Sequence, residues 1–203
     1  MKKVISILCT LSLLLVFSSC GVKQKPDAMV AKFCDSLKNF DVKTMTTYIA
    51  DNDGDLSNME QDELNADIYT VLKEKAAEIT YEIGETVINE DTAEVTVKFT
   101  YSDVSNAVPL AAGEYLSQAL GLALTGADEE TLVKLFEGIL VEKIRSITPA
   151  TAESTIQISC VMTEEGWKIK ELPDEFINVM TSNILKGLEG FNDNSFDFGE
   201  IFD

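Results

Sequence analysis

At Ala77 the hydrophobic repeat of this chain switches from 3.6 residues to 2, and the period switches three more times before the end. Nothing else constrains the fold as strongly. Before the first switch, Met29, Val30, Phe33, Cys34 and Leu37 recur at helical spacing from Pro26 to about Asn39. Asp41 can cap a short second helix carrying Val42, Met45, Tyr48 and Ile49. A third is expected from about Asn58, through Leu64, Ile68, Val71 and Leu72, to Ala76.

After Ala77, Ile79, Tyr81 and Ile83 alternate with polar residues, the chain turns at Asn89 to Thr92, and Ala93, Val95, Val97, Phe99 and Tyr101 alternate on the return. This predicts an antiparallel hairpin with one face buried. Residues 106–147 revert to helix. One segment holds Tyr115, Leu116, Ala119, Leu120 and Ala123; another holds Leu132, Leu135, Phe136, Ile139, Leu140 and Ile144, with Gly126 between them and Asp128 as the cap. Both stripes are expected to fill a core, or alternatively to line an apolar pocket or partner groove.

Alternation resumes at Thr151, with Ile156, Ile158, Cys160 and Met162 on one face, turns at Glu164-Glu165-Gly166, and continues through Trp167, Ile169 and Leu172. A last helix from Pro173 and Asp174 carries Phe176, Ile177, Met180, Ile184 and Leu188. The fold class is therefore α+β: N-terminal helices on an antiparallel sheet, with a helical hairpin inserted between two strand pairs.

The first 19 residues read as a leader. Lys2 and Lys3 precede an apolar run from Val4 to Val16, which is shorter than the roughly 20 residues a spanning helix needs. The following Phe17-Ser18-Ser19-Cys20-Gly21 resembles a lipobox, in which small residues precede a cysteine that is acylated before cleavage. The expected organisation is a lipoprotein signal peptide over 1–19, a lipidated Cys20 with a tether over 20–25, a single domain over 26–189, and an acidic, aromatic, disordered tail over 190–203. Two or three acyl chains, palmitate among them, would give stable attachment. That places the domain in the cell envelope, on the outer face of the cytoplasmic membrane or on the outer membrane of a host that has one.

Charge narrows the partners. The chain carries 35 acidic and 16 basic residues, a formal charge of −19, and losing Lys2 and Lys3 takes it to −21. Arg145 is the only arginine, so no nucleic-acid partner is expected. Anionic lipid would repel the domain, leaving the anchor at Cys20 as the contact with membrane.

The absence of histidine removes Ser-His and Cys-His nucleophiles and His-based metal sites. Asp51, Asp53 and Asp55 with Glu60 invite a weak calcium reading, but the frame that puts Gly54 sixth and Glu60 twelfth starts on Ile49. A solvated turn is the competing reading. Cys34 and Cys160 both fall on apolar faces and are either disulfide-bonded or two buried free thiols. Trp167 can stack on a ligand or pack on the sheet, and Phe191, Phe196, Phe198, Ile201 and Phe202 can dock on a partner or stay solvated. No cofactor is expected, and no metal site is assigned.

The leader with its lipobox, the helical set, the strand pairs and the hairpin ending in Gly166-Trp167-Lys168-Ile169 resemble small lipoproteins of clostridia and related bacteria with a nuclear-transport-factor-2-like, or cystatin-like, domain. The resemblance implies a curved antiparallel sheet wrapped as a cone around a helix. It covers roughly Pro26 to Gly187 in element order, and members of this superfold include enzymes, small-molecule binders and interaction modules. The reading is a non-enzymatic envelope module that binds a protein partner or a small apolar ligand in the cone. The alternative is a hydrolase or isomerase-like enzyme using buried carboxylates there.

Overall fold

The computed structural model describes residues 24–50, Leu56, Met59 and 65–192. They form helices α1 (Pro26–Lys38), α2 (Val42–Thr46) and α3 (Ala66–Ala76), strands β1 (Thr80–Asn89) and β2 (Thr92–Asp103), helices α4 (Ala107–Leu124) and α5 (Glu129–Ser146), strands β3 (Ala150–Thr163) and β4 (Gly166–Ile169), and helices α6 (Asp174–Met180) and α7 (Ile184–Asn192). The fold is α+β, and its four strands make one antiparallel sheet in the order β1-β2-β3-β4.

β2 and β3 are the spine of the sheet, paired without interruption from Thr92 opposite Val161 to Asp103 opposite Ala150. Val95, Val97, Phe99, Ile156 and Ile158 point to the inner face and are buried, while Glu94, Lys98, Glu153 and Gln157 stand in water on the other face. β1 is the irregular partner. Its register slips between Ile83 and Thr86, because Gly84 and Glu85 together face Thr96, and Gly84 brings its backbone close to the Thr96 carbonyl. The far edge is closed by the N-terminal segment: Ile49 bridges Ile169 in parallel, the Ala50 N–H donates to the Ile169 carbonyl, and the Ile169 N–H donates to that of Tyr48.

α1 fills the inner face. Its Phe33 ring lies 5.0 Å from that of Phe176 on α6, which in turn lies 6.1 Å from Phe99 on β2. Edge and tilted ring contacts of this kind add to the area that the rings bury. Trp167 packs into the same core, opposite Met162.

Four expectations are corrected. Asn65 has an extended backbone and its side chain accepts from the Asp67 N–H at 2.8 Å, so α3 starts at Ala66 and not at Asn58. The last helix is two, because Ser182 and Asn183 adopt left-handed conformations between α6 and α7. α7 runs on to Asn192, so Gly190 to Asn192 belong to a helix and not to the tail. Finally, the stripe on α4 does not face inward as a whole: Ala107, Val108, Ala111 and Ala112 are buried, but Leu116 and Leu120 are exposed.

Candidate functional site

The break between α6 and α7 is held by a buried polar corner. The Asn183 amide donates to Asp103 Oδ2 at 2.8 Å, its carbonyl oxygen accepts from the Tyr101 hydroxyl at 3.3 Å, and the Val104 N–H donates to the Ser182 carbonyl at 3.0 Å. Asp103 also accepts from the Ser105 N–H at 2.9 Å. Burial on its own would raise the Asp103 pKa; the hydrogen bonds from Ser105 and Asn183, with Lys186 nearby, outweigh it and hold the carboxyl below its ordinary value. This arrangement keeps the acid charged and fixes the end of β2 to the start of α7. It is a structural clamp.

Glu137 on α5 shifts the other way, raised by burial against the partial offset of Asn65, which donates to it at 2.9 Å, and of Lys134. It stands between α5 and the start of α3, not on the inner face of the sheet. Tyr81 donates to Asp35 Oδ1 at 2.7 Å across β1 and α1, and burial followed by the Asp35 carboxylate raises its pKa.

Cys34 and Cys160 are free and buried. Of the two arrangements open from sequence, the structure has two separate thiols and no disulfide. Burial first, then Asp35, pushes the Cys34 thiol up; burial and then Glu94 push that of Cys160 up to about 12. Neither is a nucleophile near neutral pH. Asp51, Asp53, Asp55 and Glu60, the candidate calcium ligands, and Cys20, the candidate lipid site, lie outside the described residues. Among the described residues no three His, Cys, Asp or Glu side chains are grouped to hold a metal ion.

A cavity of about 20 Å³ lies between α3, α5 and α7, lined by apolar side chains including Ile68, Leu72, Leu140, Ile144 and Ile184. It has room for about one water molecule.

The feature with no counterpart in the core is the outer side of the α4–α5 hairpin. α4 carries Leu110, Leu116, Leu120 and Leu124 at 53, 45, 68 and 83% exposure. Sequence reasoning placed Leu116 and Leu120 on an inward stripe because α4 is apolar nearly all round, so its pattern does not say which side is wet. No helix among the described residues is long and apolar enough to cross a membrane.

No protein-family description matches the chain, and no curated protein does. Among solved structures the chain is similar to a candidate lipoprotein, ycdA, of Bacillus subtilis subsp. subtilis str. 168, at 18% identity and a TM-score of 0.41. The match covers 78% of this chain and 47% of that one, so this chain spans about half the length of its structural neighbour.

Proposed function

We propose that the chain is a lipid-anchored envelope protein, attached through Cys20, whose domain acts as an interaction module through its outer surface. In this reading the sheet and α1 form a cone of the cystatin-like, nuclear-transport-factor-2-like type, with α4 and α5 as an insertion, and residues 193–203 follow as an acidic tail.

The observation that carries the reading is the filled interior. Ligand pockets run to about 300–1,000 Å³. Here Phe33, Phe99 and Phe176 occupy the inner face of the sheet, and the cavity described between α3, α5 and α7 measures about 20 Å³. This filling favours binding through surfaces over a small apolar ligand in the cone. The carboxylate-enzyme alternative gains nothing from the titration of the acids: Asp103 is held charged in a clamp, and Glu137, the raised one, stands beside Asn65.

Native mass spectrometry of the full chain, extracted from its own host's membranes, tests this. The expected spectrum shows the lipidated chain with no retained organic molecule. A co-purifying small molecule at stoichiometric level would overturn the surface reading. In the same host, Cys20→Ala should abolish metabolic palmitate labelling; undiminished labelling would remove the anchor.

A further inference from the structure

Charge is not spread evenly along this acidic chain. From Lys25 to Thr46, over α1 and α2, four lysines stand against three aspartates, whereas residues 66–189 hold nine cations against 22 acids. The cations of the two parts are also used differently. Among the described residues Lys75, Lys98, Lys134, Lys143, Arg145 and Lys168 each sit in an ion pair, and none of the four lysines from Lys25 to Lys43 does. Lys25 and Lys32 share the exposed side of α1 with Ala28, Asp35 and Asn39, a stripe at helical spacing. Asp35 accepts from the Tyr81 hydroxyl at 2.7 Å, and Lys32 donates to the neutral Gln24 Oε1 at 3.1 Å. Beyond the end of α1, Lys43 and Lys73 lie near Asp41, whose carboxylate caps α2 through the Thr44 N–H at 3.0 Å. Asp35 and Asp41 are thus engaged within the fold, while the lysines reach water without a counter-charge.

We propose that the exposed side of α1 is the surface on which the anchored domain rests against anionic phospholipid. The length of chain before it selects that occupant. Four residues separate Cys20 from Gln24, so the start of α1 stays within about 14 Å of an acylated Cys20 however the domain turns. Charge then decides which side is down. The net charge would drive a free domain away from anionic lipid, but a domain that cannot leave is rotated by it instead. Across the sheet from α1, the outer face carries Glu82, Glu94 and Glu153 against Lys98, which is itself tied to Glu153 at 2.9 Å. A helix is about 10–12 Å across, more than the screening length of about 8 Å at physiological salt, so headgroups under α1 feel its lysines and little of those acids. The 13 residues of α1 extend about 20 Å, and contact through Lys25 and Lys32 near its start with Lys43 beyond its end lays the helix along the membrane. The outer face of the sheet then points away from the lipid.

This surface rests on the anchor at Cys20 proposed above, and one preparation tests the two apart. The full chain is extracted from its host, its intact mass is recorded, and it is placed in vesicles of phosphatidylcholine alone or of equal parts phosphatidylcholine and phosphatidylglycerol. A membrane-impermeant amine-acylating reagent then labels the lysines, and peptide mass spectrometry reads the rate at each. With phosphatidylglycerol present, Lys25 and Lys32 should be labelled about fivefold more slowly, the factor that one lysine near an anionic surface commands, while Lys98 on the outer sheet face keeps its rate. Salt at about 1 M, with a screening length of roughly 3 Å, should restore the labelling of Lys32. Lys32→Glu, at an exposed position and with an unchanged melting temperature, should remove most of the protection at Lys25. Equal labelling of Lys32 in the two vesicles, or slowing of Lys98 as large as that of Lys32, overturns the surface and leaves an acylated anchor standing. Protection of Lys32 that needs added envelope proteins and not phosphatidylglycerol gives the face to a protein partner and overturns it too. An intact mass without acyl chains removes the anchor, and this surface with it.

Discussion

Asn183 holds a backbone conformation with φ near 63° while its amide joins Asp103 and Tyr101. Asparagine tolerates the left-handed region better than most residues, and its short amide reaches both partners. Asn183→Ala should destabilise the protein by about 2–3 kcal/mol, from unsatisfied partners and backbone strain together; urea denaturation measures it. Asn183→Gly relieves the strain alone and should fall between the two. The pH dependence follows from the lowered Asp103 pKa. A carboxyl depressed in the folded state stabilises at pH values above its ordinary 3.8, and that contribution disappears as pH falls below 3.8 through the folded-state value. Asp103→Asn should therefore unfold with less acid sensitivity in that range than the parent, and an identical acid transition would show that the clamp does not depend on charge.

At the scale of elements, two glycines in helices make opposite predictions. A Cβ at Gly187 of α7 would stand 2.8 Å from a Val108 methyl and 2.9 Å from the Ser105 carbonyl oxygen, so Gly187→Ala forces α7 off α4 and should cost about 1–3 kcal/mol. At Gly138 of α5 nothing lies within 4 Å, and Gly138→Ala should stabilise by about 0.5–1 kcal/mol. Thermal melts of the two variants, moving in opposite directions, check both. Element order was legible because its signals are local. Asp41 and Asp128 accept from the N–H groups of Thr44 and Thr131 as their capping positions suggest, and Gly126 and Gly166 take positive φ where the chain turns. The α6–α7 break was not legible: Phe176, Met180, Ile184 and Leu188 keep a helical period straight across it, and its cause, Asp103, lies 80 residues away. The outward side of α4 was hidden for a related reason, since a helix apolar all round has no sided pattern to read. Cys20 and the acidic run from Asp51 fall outside the described residues, so the lipid and calcium expectations stay where sequence left them.

For the whole molecule, the strong negative charge makes salt a diagnostic. A formal charge of −19 repels itself most strongly when the chain is compact. Raising ionic strength from about 0.01 M, with a screening length of roughly 30 Å, to about 1 M, with roughly 3 Å, should therefore raise the melting temperature. A melting temperature that falls over the same range would show that ion pairs outweigh the repulsion.

The bridge between Ile49 and Ile169 also sets an order of events during synthesis. Residue 169 leaves the ribosome 120 residues after residue 49, which at about 5–20 residues per second is a delay of roughly 6–24 s. Throughout that interval Tyr48 to Ala50 have no strand to pair with, and α1 lacks α6 to cover Phe33. The chain therefore closes late, with its first segment among the last to find its place.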